Sequence, residues 1–275
     1  MSLGIGLALA CAAVTQLAFL CKHRGAGSVP LVEIKHPLRS ARALFGSRWF
    51  AIGMGIAAVA FALHVAALAL APLSVVQVSL ATGVVMLAVL GDRLFGCKVG
   101  PREWAGVFLT TAGLVLLVLT LPRAATHSEF AVPALIAFEA GALALGTLLI
   151  AAPRLGTPAR HHGPVLGAAA GTLFGLSDVS VKALAEGGIV SPWLPVAALA
   201  SALAFLASAR GFQEGDAVPV IACTSTAANV TVICGGIVVF GDALAGGVLL
   251  VVQIAAFVLI AFSALVTPHG RPVTA

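Results

Sequence analysis

The sequence has no tyrosine and little charge: only 9% of its 275 residues are Asp, Glu, Lys or Arg. A soluble globular domain carries about 25% charged residues. With 60% hydrophobic residues and a mean hydropathy of +1.12, this chain lacks the polar surface to cover a globule in water. Lipid is therefore the solvent to expect. The apolar runs also lack the apolar–polar alternation of barrel strands, which excludes a transmembrane β-barrel and leaves a helical, polytopic membrane protein. No C-x-x-C pair joins any of the five cysteines (Cys11, Cys21, Cys97, Cys223, Cys234). They sit mostly inside apolar runs and read as reduced packing residues, with neither metal nor disulfide.

Catalytic signatures are missing too. There is no H-E-x-x-H, no G-x-S-x-G, no pair of intramembrane aspartates and no Walker loop. His161-His162 stands beside Pro164 without a Cys or acidic neighbour to complete a metal site. An enzyme is not expected, nor a cofactor, and no metal site is legible. The pI near 9.3 would suggest nucleic acid in a soluble protein. Here the positions of the charges matter more than their sum, and no nucleic-acid partner is expected.

What is present is a series of long apolar runs. At about 20 residues per span, nine helices are predicted, near 2–21, 47–69, 72–91, 103–121, 130–151, 164–186, 189–209, 217–240 and 245–266. Pro72, Pro101, Pro133, Pro164, Pro192 and Pro219 fall near helix starts or between helices, where a missing N–H costs least. The first run has no basic segment before it and no cleavage site after it, so it reads as a membrane helix rather than a removed signal. With the N-terminus outside, thirteen of the 15 basic residues fall in inner loops, and only Arg123 and Lys182 lie on the outer side. Basic residues concentrate on the cytoplasmic side of membrane proteins, so the predicted topology is N-terminus out and C-terminus in. The first inner loop, "CKHRGAGSVPLVEIKHPLRSARALFGSR", is the longest and most basic. It is either a surface helix or gate contacting anionic lipid, or the ordinary topogenic charge of a first cytoplasmic loop.

The motif Gly-Asp-x-Leu-x-Gly occurs twice, as "GDRLFG" from Gly91 and "GDALAG" from Gly241. Lys22 precedes Asp92 by 70 residues and Lys182 precedes Asp242 by 60. The difference is absorbed by the long basic loop of the first half. Each half then reads as four helices: one ending in Lys, two more, a Gly-Asp turn and a last helix. The boundaries are 1–122 for the first unit, 123–160 for a linker helix with its loops, and 161–275 for the second unit. One extra helix between two four-helix units turns the second upside down, as Lys22 inside and Lys182 outside require. Inverted repeats of this kind underlie alternating access in many secondary transporters.

A helix ending in Lys, a Pro-marked third helix, "LGDRL" and a Gly/Ala-rich fourth helix resemble the drug/metabolite transporter superfamily, including its EamA-like members. The small multidrug resistance proteins, with one such unit per chain, show a similar order. The nine-helix layout with a basic first loop is most similar to the NIPA-type magnesium transporters. The resemblance implies two inverted four-helix units and gradient-driven transport of a small metabolite or drug-like solute. The Glu that the small multidrug transporters carry eight residues before the Lys is replaced here by Val14 and Phe174. Aromatic residues, at 6%, do not support an aromatic cage for a lipophilic cation. Where NIPA-type proteins have acidic and amide residues in the second helix, this chain has only His64.

A charge within lipid costs about 2.5–3.5 kcal/mol on insertion scales, so each one asks for a role. Asp178, in "GLSDVSVK", either binds a proton or cation or is neutralised by Lys182 at i+4. Glu139, central in the 130–151 helix, either turns into the bundle or stays protonated, in a coupling or a structural role. His64 can titrate near neutral pH or serve as a packing residue. The most polar intramembrane stretch, "CTSTAANVT" from Cys223 to Thr231, contains Thr226 and Asn229. At an offset of 150 it aligns with "LSVVQVSLA", so Asn229 pairs with Ser79, and Gln77 faces Ala227. Matched polar patches on two inverted helices suit a midplane binding site. They also suit interhelical hydrogen bonding between small residues. Gln16, Thr15 and Gln253 are weaker candidates of the same kind. Asp92 and Asp242 read as structural turns, with Gly relieving the backbone and Asp capping the next stretch of chain.

The expected protein is a secondary transporter in a bacterial inner membrane, whose partners are the bilayer and a small solute or ion. A divalent-cation carrier of NIPA type is the alternative, weakened by few intramembrane carboxylates, since hard cations want several oxygen ligands. A membrane protein that binds lipid or a partner enzyme without transporting is the alternative of another class. A homodimer is compatible with all three. High Ala, Val and Gly content suits a GC-rich bacterium.

Overall fold

The computed structural model describes residues 2–70, 83–95, 100–120, 131–187, 193–241 and 246–266. Among them there is no strand, and ten α-helices account for most of these residues. They are α1 (Ser2–Ala26), α2 (Pro37–Gly46), α3 (Arg48–Leu70), α4 (Gly83–Phe95) and α5 (Pro101–Thr120). Next come α6 (Val132–Ala151), α7 (His162–Gly187), α8 (Trp193–Glu214), α9 (Ala217–Val239) and α10 (Val248–Val266). Short 3₁₀ turns at Ala152–Leu155 and Ala159–His161 join α6 to α7. Among the described residues five helices are long and apolar enough to cross a membrane: those of α1, α6, α7, α8 and α9. A sixth span is added if α2 and the start of α3, bent by 92°, are counted as one. The chain is an integral membrane protein of helical type.

Three expected boundaries move. α1 continues past 21 to Ala26, because Ala26 and Leu20 pack with Phe50, Leu206 and Phe212 in the largest apolar cluster. α8 continues past 209 to Glu214, where Arg210, Gln213 and Glu214 all find partners. The basic first loop is not all loop, since it contains α2. Pro37 opens that helix, where a proline's missing N–H costs least, and Leu44 and Ser40 are buried against the bundle. Most of the third predicted span, with Gln77 and Ser79, lies outside the described residues, as does Asp242.

Helix directions come from residue contacts. Cys11 Sγ donates to Ala60 O at 3.2 Å, while a Cβ at Gly53 would meet Lys22 and one at Gly25 would meet Phe50, so α1 and α3 run antiparallel. α7 and α8 are antiparallel as well: Ser177 Oγ lies 2.7 Å from Ser201 Oγ, and Gly211 meets Gly163 and Gly167. Phe19 packs on Phe212, and His23 Nε2 is 3.1 Å from Gly215 O, so the last turns of α1 and α8 run side by side in one direction. α7 therefore runs opposite to α1. α5 and α10 pack along each other, and α4 touches α9.

A close seam runs between α7 and α9. Gly163, Gly167, Gly171 and Gly175 recur every four residues and so form one face of α7. Gly167 faces Val220 and Thr224, Gly171 faces Thr224, Ala227 and Ala228, and Gly175 faces Ala228 and Thr231. Val179 continues the row against Gly235. With no side chain on that face the two backbones touch, which is how helices associate when lipid removes the hydrophobic drive.

Candidate functional site

The polar residues of the membrane region fall into three places. The first is the buried pair on α6 and α7. Glu139 is 6% exposed and turns into the bundle, where its Oε1 lies 2.6 Å from Ser180 Oγ. The Ser180 hydroxyl is also 3.1 Å from Leu176 O and has one proton to give. It donates to Glu139 when the carboxyl is ionised. If the carboxyl carries the proton, Glu139 donates and the hydroxyl turns to Leu176 O. Either protonation state thus leaves the pair satisfied, which is what burial of a carboxyl requires. Ser180→Ala would leave a buried carboxyl oxygen without its donor, a loss of about 1–3 kcal/mol. Thermal unfolding in detergent is expected to show that drop, with Ser180→Thr keeping most of the stability.

The second place is the opposite face of α7. Asp178 is exposed on a span whose other faces are largely buried. The expected neutralisation by Lys182 does not occur: no ion pair joins them, and the Lys182 ammonium sits 3.8 Å from the centre of the Phe240 ring instead. A cation over an aromatic face is attracted by the ring quadrupole, and Phe240 is held in place by Leu135, Val179 and Val239. Asp178 makes no hydrogen bond or ion pair among the described residues.

The third place is α9 with α1. Thr224 and Thr231 of the polar stretch face the glycine row, and Thr224 Oγ1 donates to Val220 O at 2.8 Å. These two threonines serve helix packing. Thr226 lies on another face, in line with Val230 and Ile233, which pack against the core shared with α1, α4 and α5. Asn229 is exposed and its Nδ2 donates to Ser225 O at 2.7 Å. On α1, Gln16 is 6% exposed and lies against Gly83 at the start of described α4. Among the described residues its Oε1 has no hydrogen-bond partner. A buried amide oxygen left unpaired costs about 1–3 kcal/mol, so Gln16 ranks above the place its sequence context suggests. His64 is within α3, but its side chain lies outside the described residues, as do Gln77 and Ser79.

At one end of the bundle a set of polar ties was not foreseen. Gln213 Oε1 accepts from Val32 N at 2.8 Å, and its Nε2 donates to Ala26 O at 2.9 Å and to Pro30 O at 3.1 Å. Arg210 Nη1 donates to Val32 O at 3.1 Å, and its Nε pairs with Glu214. The His162 ring bridges Glu214 Oε2 at 3.1 Å and Thr157 O at 2.8 Å. These bonds fasten the segment between α1 and α2 to the end of α8 and the start of α7. Arg24, Arg48, Arg154 and Arg160 belong to the same end. Among the described residues no three His, Cys, Asp or Glu gather as metal ligands. Compared with protein families, with curated proteins and with solved structures, the chain matches none.

Proposed function

We propose that the chain is a secondary transporter of a small solute, of drug/metabolite type, working by alternating access between two inverted four-helix units. The units would be α1, α3, α4 and α5 against α7, α8, α9 and α10, with α6 as the linker. The observation that carries the reading is the helix pairing. α1 pairs with α3 as α7 pairs with α8, and α7 runs opposite to α1. Equivalent helices also meet each other, α4 with α9 and α5 with α10, as they would about a shared two-fold axis.

Register supports the same reading. The Lys22–Lys182 offset is 160 and the Asp92–Asp242 offset is 150. Applied to the contact of Gln16 with Gly83, they predict a contact of residue 176 with residue 233, a difference of 57. The second unit has Gly175 on Thr231 and Val179 on Gly235, each a difference of 56. The two helix pairs thus meet within one residue of the same register.

In this reading cargo lies between α4 and α9, near Thr226 and Gln16. Asp178, unpaired on a membrane helix, handles the coupling charge, while Glu139 holds the linker helix to α7. The end bearing Arg24, Arg48, Arg154, Arg160 and Arg210 faces the cytoplasm of a bacterial cell, giving N-terminus out and C-terminus in. With no nucleotide loop in the sequence, a solute or ion gradient drives the cycle.

The test is a proteoliposome assay with a trapped pH dye, challenged with amino acids, amines, sugars, lipophilic cations and Mg2+. A cargo-dependent proton flux, with counterflow of the same cargo when it is preloaded, is the expected result. Cargo uptake that shows no counterflow would replace a carrier with a channel. Silence across the panel from folded protein would move the assignment to lipid or partner binding.

A further inference from the structure

We propose that α2 with the first turn of α3 is a binding site for anionic phospholipid headgroups of the membrane in which the chain sits. The helix is placed for it. α2 meets the start of α3 at 92°, so with α3 crossing the bilayer, as the proposed four-helix unit requires, α2 lies along the membrane surface. One side, with Leu44 and Ser40, is buried on the bundle. A second side exposes Leu38 (85%) and Phe45 (51%), which share a face at i and i+7. Trp49 and Ile52 extend that apolar strip onto α3, both exposed.

The basic residues border the strip. Arg42 lies beside Leu38 and Phe45, Arg39 stands further round, and Lys35 and Arg48 flank the helix ends; all four are exposed. None of the four forms an ion pair among the described residues. Arg24 joins them from α1, its guanidinium 4.5 Å from the Trp49 ring centre. Against these five cations the surrounding segment has one carboxylate, Glu33, itself exposed and 3.8 Å from His36 Nε2. Apolar side chains beside unpaired arginines are what an interfacial helix uses, the first entering the acyl boundary and the second reaching phosphate. Topogenic charge alone needs no fixed geometry, whereas Ser40 bound to Glu33 N and O, and Ser28 bound to Ser47, hold this segment in place.

Trp49 reports on the site directly. The chain would be reconstituted with Trp104→Phe and Trp193→Phe, leaving Trp49 as the sole tryptophan. Its quenching by brominated phosphatidylglycerol would be compared with that by brominated phosphatidylcholine of the same chains. The expected preference for the anionic lipid is at least about fivefold, the effect of one basic side chain near an anionic surface. It should fall severalfold in Arg39→Gln/Arg42→Gln/Arg48→Gln, which keeps only Arg24 and Lys35 of the five cations, and persist in the matching triple Lys variant. If the Gln variant does not fold, salt tests the unaltered site, since the screening length shrinks from about 10 Å at 0.1 M to about 3 Å at 1 M. Equal quenching by the two lipids, no quenching by either, or a preference indifferent to salt and to the arginines would each overturn the proposal. None of these outcomes bears on transport.

Discussion

Gly171→Leu is expected to leave almost no assembled protein. A Cβ at position 171 would run into the Thr224 carbonyl oxygen and would also lie 2.8 Å from Ala227 Cβ and 2.9 Å from Ala228 N. Two of these three atoms are backbone, so no rotamer change relieves the contact. Overpacking a core that can adjust costs about 1–3 kcal/mol. Here α7 and α9 must separate along a seam three glycines long, Gly167, Gly171 and Gly175, and whole domains are stable by only about 5–15 kcal/mol. Gly171→Ala should already lower stability by about 3 kcal/mol. Gly141 and Gly6 have nothing within 4 Å of the same atom. Their alanine variants should match or exceed the native chain, by up to about 1 kcal/mol from helix propensity. Size-exclusion yield and thermal unfolding in detergent measure all four. A Gly171→Leu chain that elutes and melts like the native one would mean that the α7–α9 seam is wrong.

Asp178→Asn is expected to stop cargo-driven proton flux down to the level of empty vesicles while making the protein more stable. An unpaired carboxylate on a membrane helix costs about 2.5–3.5 kcal/mol, and replacing it with a neutral amide recovers part of that. A residue whose removal raises stability and ends activity is one whose cost is tolerated for function. Glu139→Gln should separate the two carboxyls. The amide oxygen still accepts from Ser180, so flux should persist with a modest loss of stability. If Asp178→Asn carries native flux with unchanged stability, the side chain faces water and couples nothing. If Glu139→Gln is the silent variant instead, the coupling role passes to the linker helix.

Hydropathy made α6, α7, α8 and α9 legible within a few residues, because continuous apolar runs of span length admit one structure in lipid. It carries no information on helix rotation, so the burial of Glu139 on Ser180 had to come from packing. α2 escaped it for the opposite reason: Pro37–Gly46 is short, basic and amphipathic, and a span-length window averages it away. The i, i+4 spacing of Asp178 and Lys182 suggested an ion pair, but spacing along one helix cannot foresee a phenyl ring arriving from the end of α9. Gln213 and Arg210 lie past the predicted end of a span at 209, and their bonds to Ala26, Pro30 and Val32 join residues more than 170 positions apart. The glycine row was different. Its period of four from Gly163 to Gly175 stands in the sequence, and a hydropathy window passes over it because it weighs no spacing.

That row also decides what can loosen. Along most helix seams, side chains hop between rotamers, and each hop gives the pair some slack. Between Gly167 and Gly175 the face of α7 toward α9 has no rotamers, and valine, alanine and threonine leave few on the other side. The seam therefore has almost no conformational entropy to release short of full separation. α7 and α9 must travel as one stiff unit, and compliance has to come from elsewhere in the bundle.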